Sequence, residues 1–403
     1  MLYENTMSNL KKKIFLLADS AVDLRFICEL LKKNYSVKWV FYNKNLYDDL
    51  KKLGYQEKDF IFIRNFNLLS LIKRVLTKMF GILNFNFEKE LTDNIKNIDT
   101  ILKPDLWITD TGNILSKVET KAPRATFKHS IPYKKFFLAK NIFNYDYVFI
   151  PGDYHFYRII NFYKHREQEL KKKLIISVSP KILSYMKLKN KFLNKKNFCE
   201  KYHLDYNNQT VVLATTHNSF ADNRFLPKNF GSEIISLKKI CEILTLENKF
   251  NFIIKLHHYH YNKILNTNYN FLKKFKNVCV FKANKNFDSL DSEEVFFNSD
   301  IVITDTSGVG PLCCYLDKKM IYLDPDPPFD WETSDIEKNM RPGFIIKKIN
   351  ELSYVLNCYR DIPTKFAEER KKFTKTIFKY TFEKHLGIIE RNIEKLLNEK
   401  NIL

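Results

Sequence analysis

Short runs of apolar residues alternate along this chain with longer segments in which apolar residues recur at helical spacing. KKIFLLAD (12–19) and YSVKWVFYN (35–43) predict strands, and LRFICELLKK (24–33) between them predicts a helix. Later runs repeat the strand pattern at 104–112, 145–153, 209–217, 250–258, 278–283, 299–308 and 318–326. Apolar strands that alternate with helices form parallel sheets covered on both faces. The pattern therefore predicts an α/β protein.

The segment 182–208 has many charged residues and no strand signal, so we predict the connection between two domains near residues 180–200. A Rossmann-like N-terminal domain over 1–180 and a Rossmann-like C-terminal domain over 181–365 would each have the usual size of a domain. Residues 366–403 are predicted to form C-terminal helices that could pack back on the first domain. We detect no internal repeat.

The amino-acid composition indicates which kind of partner and which cellular compartment to expect. The formal net charge of +21 favours an anionic partner, such as a phosphorylated substrate, an anionic membrane surface or nucleic acid. The seven cysteines form no CxxC pair, which argues against zinc. Their odd number, together with the lack of a secretory signal in the sequence, leads us to expect a reducing, cytoplasmic setting. No apolar run reaches the roughly 18 residues that a membrane-spanning helix needs, so we expect no spanning segment.

The segment 66–87 combines apolar residues at helical spacing with the basic residues Lys73, Arg74 and Lys78. One interpretation is an ordinary packed helix of the first domain. The other is an interfacial helix, because an apolar face with basic residues at its edge suits an anionic lipid surface. The net charge favours the second interpretation, in which these three residues bind the membrane.

Polar clusters stand at predicted strand ends, where the ligands of parallel sheets bind. They are ATFKHSIPYKK (125–135), ATTHNS (214–219), IIKLHHYH (253–260) and IVITDTSGVG (301–310). Hydroxyls and backbone N–H groups at a strand-to-helix turn bind anions, and a nearby lysine balances phosphate charge. A histidine can serve as a general base. The clusters therefore suit phosphoryl or glycosyl transfer from a nucleotide donor.

Several other kinds of site fit these clusters less well. The glycine loop at 308–310 has neither the GxGxxG spacing of dinucleotide folds nor the GxxxxGK[ST] of a P-loop. The histidines of HHYH (257–260) have no acidic or cysteine ligand close by, so we predict no metal. A single histidine at a strand end can also be a structural, hydrogen-bonded residue, and that alternative stays open here.

Taken in order, six segments resemble the CDP-glycerol glycerophosphotransferases, a family that includes wall teichoic acid primases and polymerases. They are HSIPYKK (129–135), SVSPK (177–181), ATTH (214–217), KLHH (255–258), NSDIVITDTSGVGPLCCYLDKKMIYLD (298–324) and RPGFIIKKINEL (341–352). The chain departs from the family pattern at Ser130, Lys181, His258 and Gly308. These departures keep the residue types that suit phosphate binding. They do not fix the identity of the donor or of the acceptor.

The resemblance implies a GT-B fold, with two Rossmann-like parallel-sheet domains facing a central cleft. It also implies roles for individual residues. His129 would take the proton from the acceptor hydroxyl, and His257 would contact the donor pyrophosphate and stabilise the departing CMP. Lys134 would help to neutralise charge.

The donor would lie on the second domain. Asp305 would order the loop that follows the strand at 301–304, and the residues after it would bind donor phosphate. The donor-binding residues implied in this way are Thr216, Lys255, Asp305, Thr306, Ser307 and Gly308.

The implied reaction moves glycerol phosphate, or a related polyol phosphate, from a CDP-activated donor to a lipid-linked or polymeric cell-surface glycan, with no cofactor. We expect a peripheral enzyme at the cytoplasmic face of an anionic membrane. The alternatives are a GT-B glycosyltransferase or a UDP-N-acetylglucosamine 2-epimerase-like enzyme. A nucleic-acid-binding protein is disfavoured, because the chain has no RNP-like, zinc-finger or helix-turn-helix signature.

Overall fold

The structure is a computed structural model, and it describes residues 11–18, 21–42, 44–63, 87–110, 114–127, 140–214, 240–245, 249–255, 274–281, 289–304, 308–323, 341–380 and 386–399. Its strands form one sheet of seven strands and one of six, and every strand pair is parallel. The predicted α/β class with two parallel-sheet units is confirmed.

The first sheet has the strand order β3-β2-β1-β4-β5-β6-β7, and the second has the order β10-β9-β8-β11-β12-β13. The strands are β1 (Lys13–Leu17), β2 (Ser36–Phe41), β3 (Phe60–Phe62), β4 (Leu106–Thr109), β5 (Arg124–Phe127), β6 (Tyr147–Ile150), β7 (Leu174–Ile176), β8 (Gln209–Leu213), β9 (Phe250–Lys255), β10 (Val278–Phe281), β11 (Ile301–Thr304), β12 (Lys319–Leu323) and β13 (Phe344–Ile346).

Helices connect these strands, as parallel pairing requires. They are α1 (Ala21–Leu31), α2 (Lys44–Lys52), α3 (Phe87–Leu102), α4 (Asp153–Phe162), α5 (Glu167–Lys173), α6 (Pro180–Leu188), α7 (Lys195–Tyr202), α8 (Ser289–Phe297), α9 (Val309–Tyr315), α10 (Glu351–Asp361), α11 (Ala367–Ile377) and α12 (Leu386–Glu399). Residues 240–245 are also helical. None of these helices is both long and apolar enough to cross a membrane.

The described residues divide into two compact units. The first contains residues 11–184 and 379–399, and the second contains 185–378. The division lies within α6, a few residues beyond the predicted boundary at 180. The C-terminal helices differ in their placement, because α11 belongs to the second unit while α12 packs against α1 of the first. There the Lys12 Nζ donates a hydrogen bond to the Leu397 carbonyl at 2.6 Å, which ties the end of α12 to the start of β1.

The order of strands reverses once in each sheet, between β1 and β4 in the first and between β8 and β11 in the second. Loops diverge to opposite faces of the sheet at such a switch point, which opens a crevice at the carboxyl ends of the two strands. We call the side of a sheet where its strands end the carboxyl edge. Each unit therefore offers one site of this kind, at the carboxyl edge of β1 and β4 and at that of β8 and β11.

An aspartate fixes the register of the strands at both switch points. It directly precedes the strand that follows the reversal, and its carboxylate accepts a hydrogen bond from a backbone N–H at the start of the neighbouring strand. Asp105 Oδ2 accepts from Lys13 N at 2.7 Å, and Asp300 Oδ2 accepts from Thr210 N at 2.7 Å. Because side chains alternate between the faces of a strand, a slip of one residue would turn every core side chain outward.

The second sheet packs a continuous apolar layer against one of its faces. Leu213, Ile254 and Ile303 lie side by side on neighbouring strands, are almost completely buried, and contact the helical residues 240–245 and α10. The next residue along each strand faces the other side of the sheet. That side carries the residues that matter for the site described below.

Replacing Asp300 by alanine should destabilise the second unit by about 1–3 kcal/mol, because the backbone N–H of the buried Thr210 loses its acceptor. Asp300→Asn keeps one oxygen acceptor, so it should lower the free energy of unfolding by less than Asp300→Ala does. Urea unfolding measures both effects. The control is Asp361→Ala, since Asp361 is exposed and pairs with its neighbour Arg360 at 3.1 Å. This substitution should change the free energy of unfolding by less than about 0.5 kcal/mol. Equal losses from both alanine variants would contradict the role given to Asp300.

Gly343 precedes β13 at a point where no side chain fits. A Cβ atom there would lie 2.3 Å from the Met320 carbonyl oxygen of β12. Gly343→Ala should therefore lower stability by about 1–3 kcal/mol through overpacking. For Gly387 in α12, the nearest side-chain atom among the described residues is Arg391 Nε, 4.0 Å from the same position, so Gly387→Ala should stabilise by up to about 1 kcal/mol. Thermal unfolding measures the melting temperature of both variants. A shift of both melting temperatures in the same direction would contradict the different roles given to the two glycines.

Candidate active site

The switch point of the second sheet brings three strand ends together. Leu213 pairs with Ile254 on one side and with Ile303 on the other, so Lys255, Ala214 and Thr304 follow in one row at the carboxyl edge. The buried Thr304 hydroxyl donates a hydrogen bond to the Ala214 carbonyl at 2.6 Å. This bond holds the ends of β8 and β11 together directly beneath the loops that leave them.

Lys255 supplies a cation at this edge. Its Nζ lies 5.2 Å from the centre of the Phe296 ring of α8, a cation–π arrangement, and the side chain is half-buried. Lys255 follows Ile254, whose side chain joins the apolar layer on the opposite face. Alternation therefore turns Lys255 toward the face that α8 covers, beside the switch point.

Helix α9 begins directly after the loop that follows β11. Gly308 precedes it with φ −60° and ψ −6°, a conformation open to any residue. Gly308 therefore differs from other residues at this position because it has no side chain, and not because of a backbone angle that only glycine adopts. Residues 310–314 of the helix are buried, and so is β11, which precedes the helix in the chain.

Two neighbouring thiols of α9 do not supply a nucleophile. Burial raises the pKa of Cys313 well above its ordinary value, and the Lys255 ammonium opposes that rise only in part. Burial likewise raises the pKa of Cys314 to about 12. Both groups therefore stay protonated at neutral pH. Across the described ranges, no group of three or more His, Cys, Asp or Glu side chains could hold a metal ion.

The structure thus describes two of the predicted site residues, Lys255 and Gly308, and both belong to the second unit. Lys255 stands at the carboxyl edge, and Gly308 stands at the start of α9. The remaining predicted residues lie outside the described ones and stay predictions: Lys73, Arg74, Lys78, His129, Lys134, Thr216, His257, Asp305, Thr306 and Ser307.

Asp110, which the sequence analysis did not select, lies at the equivalent place in the first unit. It follows β4 at the switch point and is 1 % exposed. A signal for it exists in the sequence, because DLWITDT (105–111) and DIVITDT (300–306) share the pattern Asp-x-x-Ile-Thr-Asp-Thr. The first aspartate of each copy is the register-fixing residue described above. The expectation of no internal repeat was therefore wrong at this short length.

The family described as CDP-glycerol:poly(glycerophosphate) glycerophosphotransferase matches residues 121–394. No curated protein matches the chain. Among solved structures, the wall teichoic acid polymerase TagF soaked with CDPG has a TM-score of 0.62 and 14% identity, covering 97% of this chain and 90% of that chain. The UDP-GlcNAc 2-epimerase from Neisseria meningitidis bound to UDP-GlcNAc has a TM-score of 0.60 and 14% identity, covering 96% and 100%. At these identities the likeness shows the fold.

Lys255→Ala should weaken the binding of a nucleoside-diphosphate ligand about 10- to 100-fold, because a charge-assisted contact to phosphate is lost. Lys255→Arg keeps the charge and should bind more tightly than the alanine variant. Isothermal titration measures both affinities. The control is Lys348→Ala, which removes an exposed lysine of the same unit and should leave affinity unchanged. Equal affinity in Lys255→Ala and the wild-type protein would exclude Lys255 from the site.

Proposed function

The chain belongs to the CDP-glycerol:poly(glycerophosphate) glycerophosphotransferase family, and we propose that it transfers glycerol phosphate, or a related polyol phosphate, from a CDP-activated donor to a teichoic-acid-like or capsule-like surface polymer. One observation carries the proposal. The family match covers the whole second sheet, and Lys255 lies at the carboxyl edge of its switch point, where the ligands of such sheets bind.

The proposed chemistry is one displacement at phosphorus. An acceptor hydroxyl attacks the phosphorus atom that carries the polyol, a new P–O bond forms, and the bond to the CMP phosphate oxygen breaks. His129 takes the proton from the hydroxyl as general base. CMP leaves with added negative charge, which Lys255, His257 and the hydroxyls of Thr306 and Ser307 stabilise.

Thr216, Asp305, Gly308 and Lys134 complete the proposed site. Thr216 follows β8 in sequence and so belongs to the same switch point as Asp305 and Gly308. Asp305 orders the loop after β11. Lys134 adds positive charge close in sequence to His129, on the acceptor side of the reaction. No step in this scheme needs a metal or an organic cofactor.

The proposed acceptor is a lipid-linked or polymeric glycan, and the proposed location is the cytoplasmic face of the cell membrane. Two observations support this location. The formal charge of +21 favours an anionic surface, and Lys73, Arg74 and Lys78 lie within an amphipathic segment. A polymer as acceptor agrees with the function of TagF, which is a wall teichoic acid polymerase.

A nucleotide-sugar enzyme is the second candidate, since the fold is shared with an epimerase that binds UDP-GlcNAc. The two candidates differ in the nucleotide that is released. A donor screen with CDP-glycerol, CDP-ribitol and common UDP-sugars, with chromatography of the products, separates them. We expect CMP from a CDP-polyol. Release of UDP without CMP would contradict the proposed use of a CDP-polyol donor.

The same assay tests the two histidines. His129→Ala should lower kcat about 10²- to 10⁴-fold through loss of the general base, with little change in CDP-glycerol affinity. His257→Ala should lower both kcat and donor affinity, because it contacts the donor itself. His203→Ala is the matched control, since His203 is exposed at the end of α7. Near-normal turnover in either variant would remove that histidine from its role.

A further inference from the structure

Helix α8 places one aromatic ring against Lys255, the cation at the carboxyl edge of the second unit. The Lys255 Nζ lies 5.2 Å from the centre of the Phe296 ring. Phe296 is 3 % exposed, whereas Lys255 is half-buried. The face of an aromatic ring carries partial negative charge and attracts an ammonium that lies within about 6 Å. The ring therefore helps to determine where the Lys255 ammonium lies.

The backbone around Phe296 is anchored on both sides of the ring. The Ser299 hydroxyl donates a hydrogen bond to the Phe296 carbonyl at 2.8 Å. Before the ring, the Glu294 carboxylate accepts from the Leu193 backbone N–H at 2.7 Å and pairs with the Lys201 ammonium at 3.2 Å. A lysine, in contrast, ends in a flexible stem with many rotamers. In this pair the ring is the fixed partner and the ammonium is the adaptable one.

The ring orients the ammonium without neutralising its charge. A carboxylate in the same place would cancel the charge of Lys255, whereas a ring face leaves it available for an anion. Phosphate oxygens form charge-assisted hydrogen bonds with an ammonium of this kind. A lysine that is already held in place also loses less rotamer freedom when the anion binds. An aliphatic side chain of similar size would fill the volume of the ring but would not attract the ammonium.

We propose that Phe296 is a positioning residue of the donor site, where its ring holds the Lys255 ammonium in place for the phosphates of a nucleoside diphosphate. This rests on the proposed function, in which Lys255 contacts the donor. Because Phe296 is almost completely buried, it acts through Lys255 and does not itself touch the donor.

Isothermal titration of the full chain with CDP tests this role. Phe296→Leu keeps an apolar side chain but removes the ring, so it should weaken CDP binding about 3- to 10-fold. Phe296→Tyr keeps the ring and should bind CDP within about twofold of the wild-type protein. Phe296→Met also lacks the ring and replaces the leucine variant if that variant does not fold.

A double-mutant cycle distinguishes positioning of Lys255 from a general loss of structure. In the Lys255→Ala background there is no ammonium for the ring to hold. Phe296→Leu should therefore change CDP affinity in that background by less than about twofold. A merely structural role of the ring would weaken CDP binding by the same factor in both backgrounds.

Phe297→Leu is the matched control for the loss of a ring. Phe297 is the next residue of the same helix, and its ring also lies near a lysine, with its centre 6.0 Å from the Lys318 Nζ. Lys318 directly precedes β12, so this pair lies at the opposite edge of the sheet from Lys255. The control should leave CDP affinity unchanged.

Two results would overturn the role of Phe296. One is unchanged or tighter CDP binding by Phe296→Leu, and the other is equal weakening in the wild-type and Lys255→Ala backgrounds. Both would leave the proposed transfer reaction standing. CDP binding with the expected coupling, but without release of CMP from CDP-glycerol, would count against the proposed function alone. Failure of the wild-type protein to bind CDP would overturn both proposals.

Discussion

The hydrogen bond that a strand-leading aspartate accepts from a backbone N–H of the neighbouring strand joins the two central strands of each sheet. Asp105 and Asp300 each bridge the two strands between which the order reverses. These two strands pair across the point where connections diverge, so no short connection holds them in register. A charged acceptor on a backbone N–H is a strong and directional way to fix that register.

The two switch points share one backbone frame but differ in their side chains. In the second unit the row at the carboxyl edge includes Lys255, whose ammonium lies over the Phe296 ring. In the first unit the equivalent position is Val40, and Asp110 follows β4 in the next row. The backbone frame determines where a ligand can lie, and the side chains on the neighbouring strands determine which ligand charge is favoured there.

The sequence predicted the long central strands of the two sheets better than the short strands and the boundary between the two units. β1, β8, β9 and β11 follow directly from apolar runs, because a strand buried on both faces needs an uninterrupted set of apolar side chains. The short strands β3, β7 and β13 were not predicted, since three residues are too few to show a period. The boundary of the two units falls within α6, where a helix crosses from one unit to the other and leaves no break in the sequence pattern.

The sequence by itself determined the fold class and the family, because both rest on local patterns: apolar periodicity and ordered motifs such as HSIPYKK (129–135) and ITDTSG (303–308). It also determined that Lys255 belongs to a polar strand end. Only the tertiary structure decided which strand ends are neighbours, because strand order is set by long-range pairing that no local pattern records. It thereby gave Asp110 its place beside a switch point and aligned Val40 with Lys255.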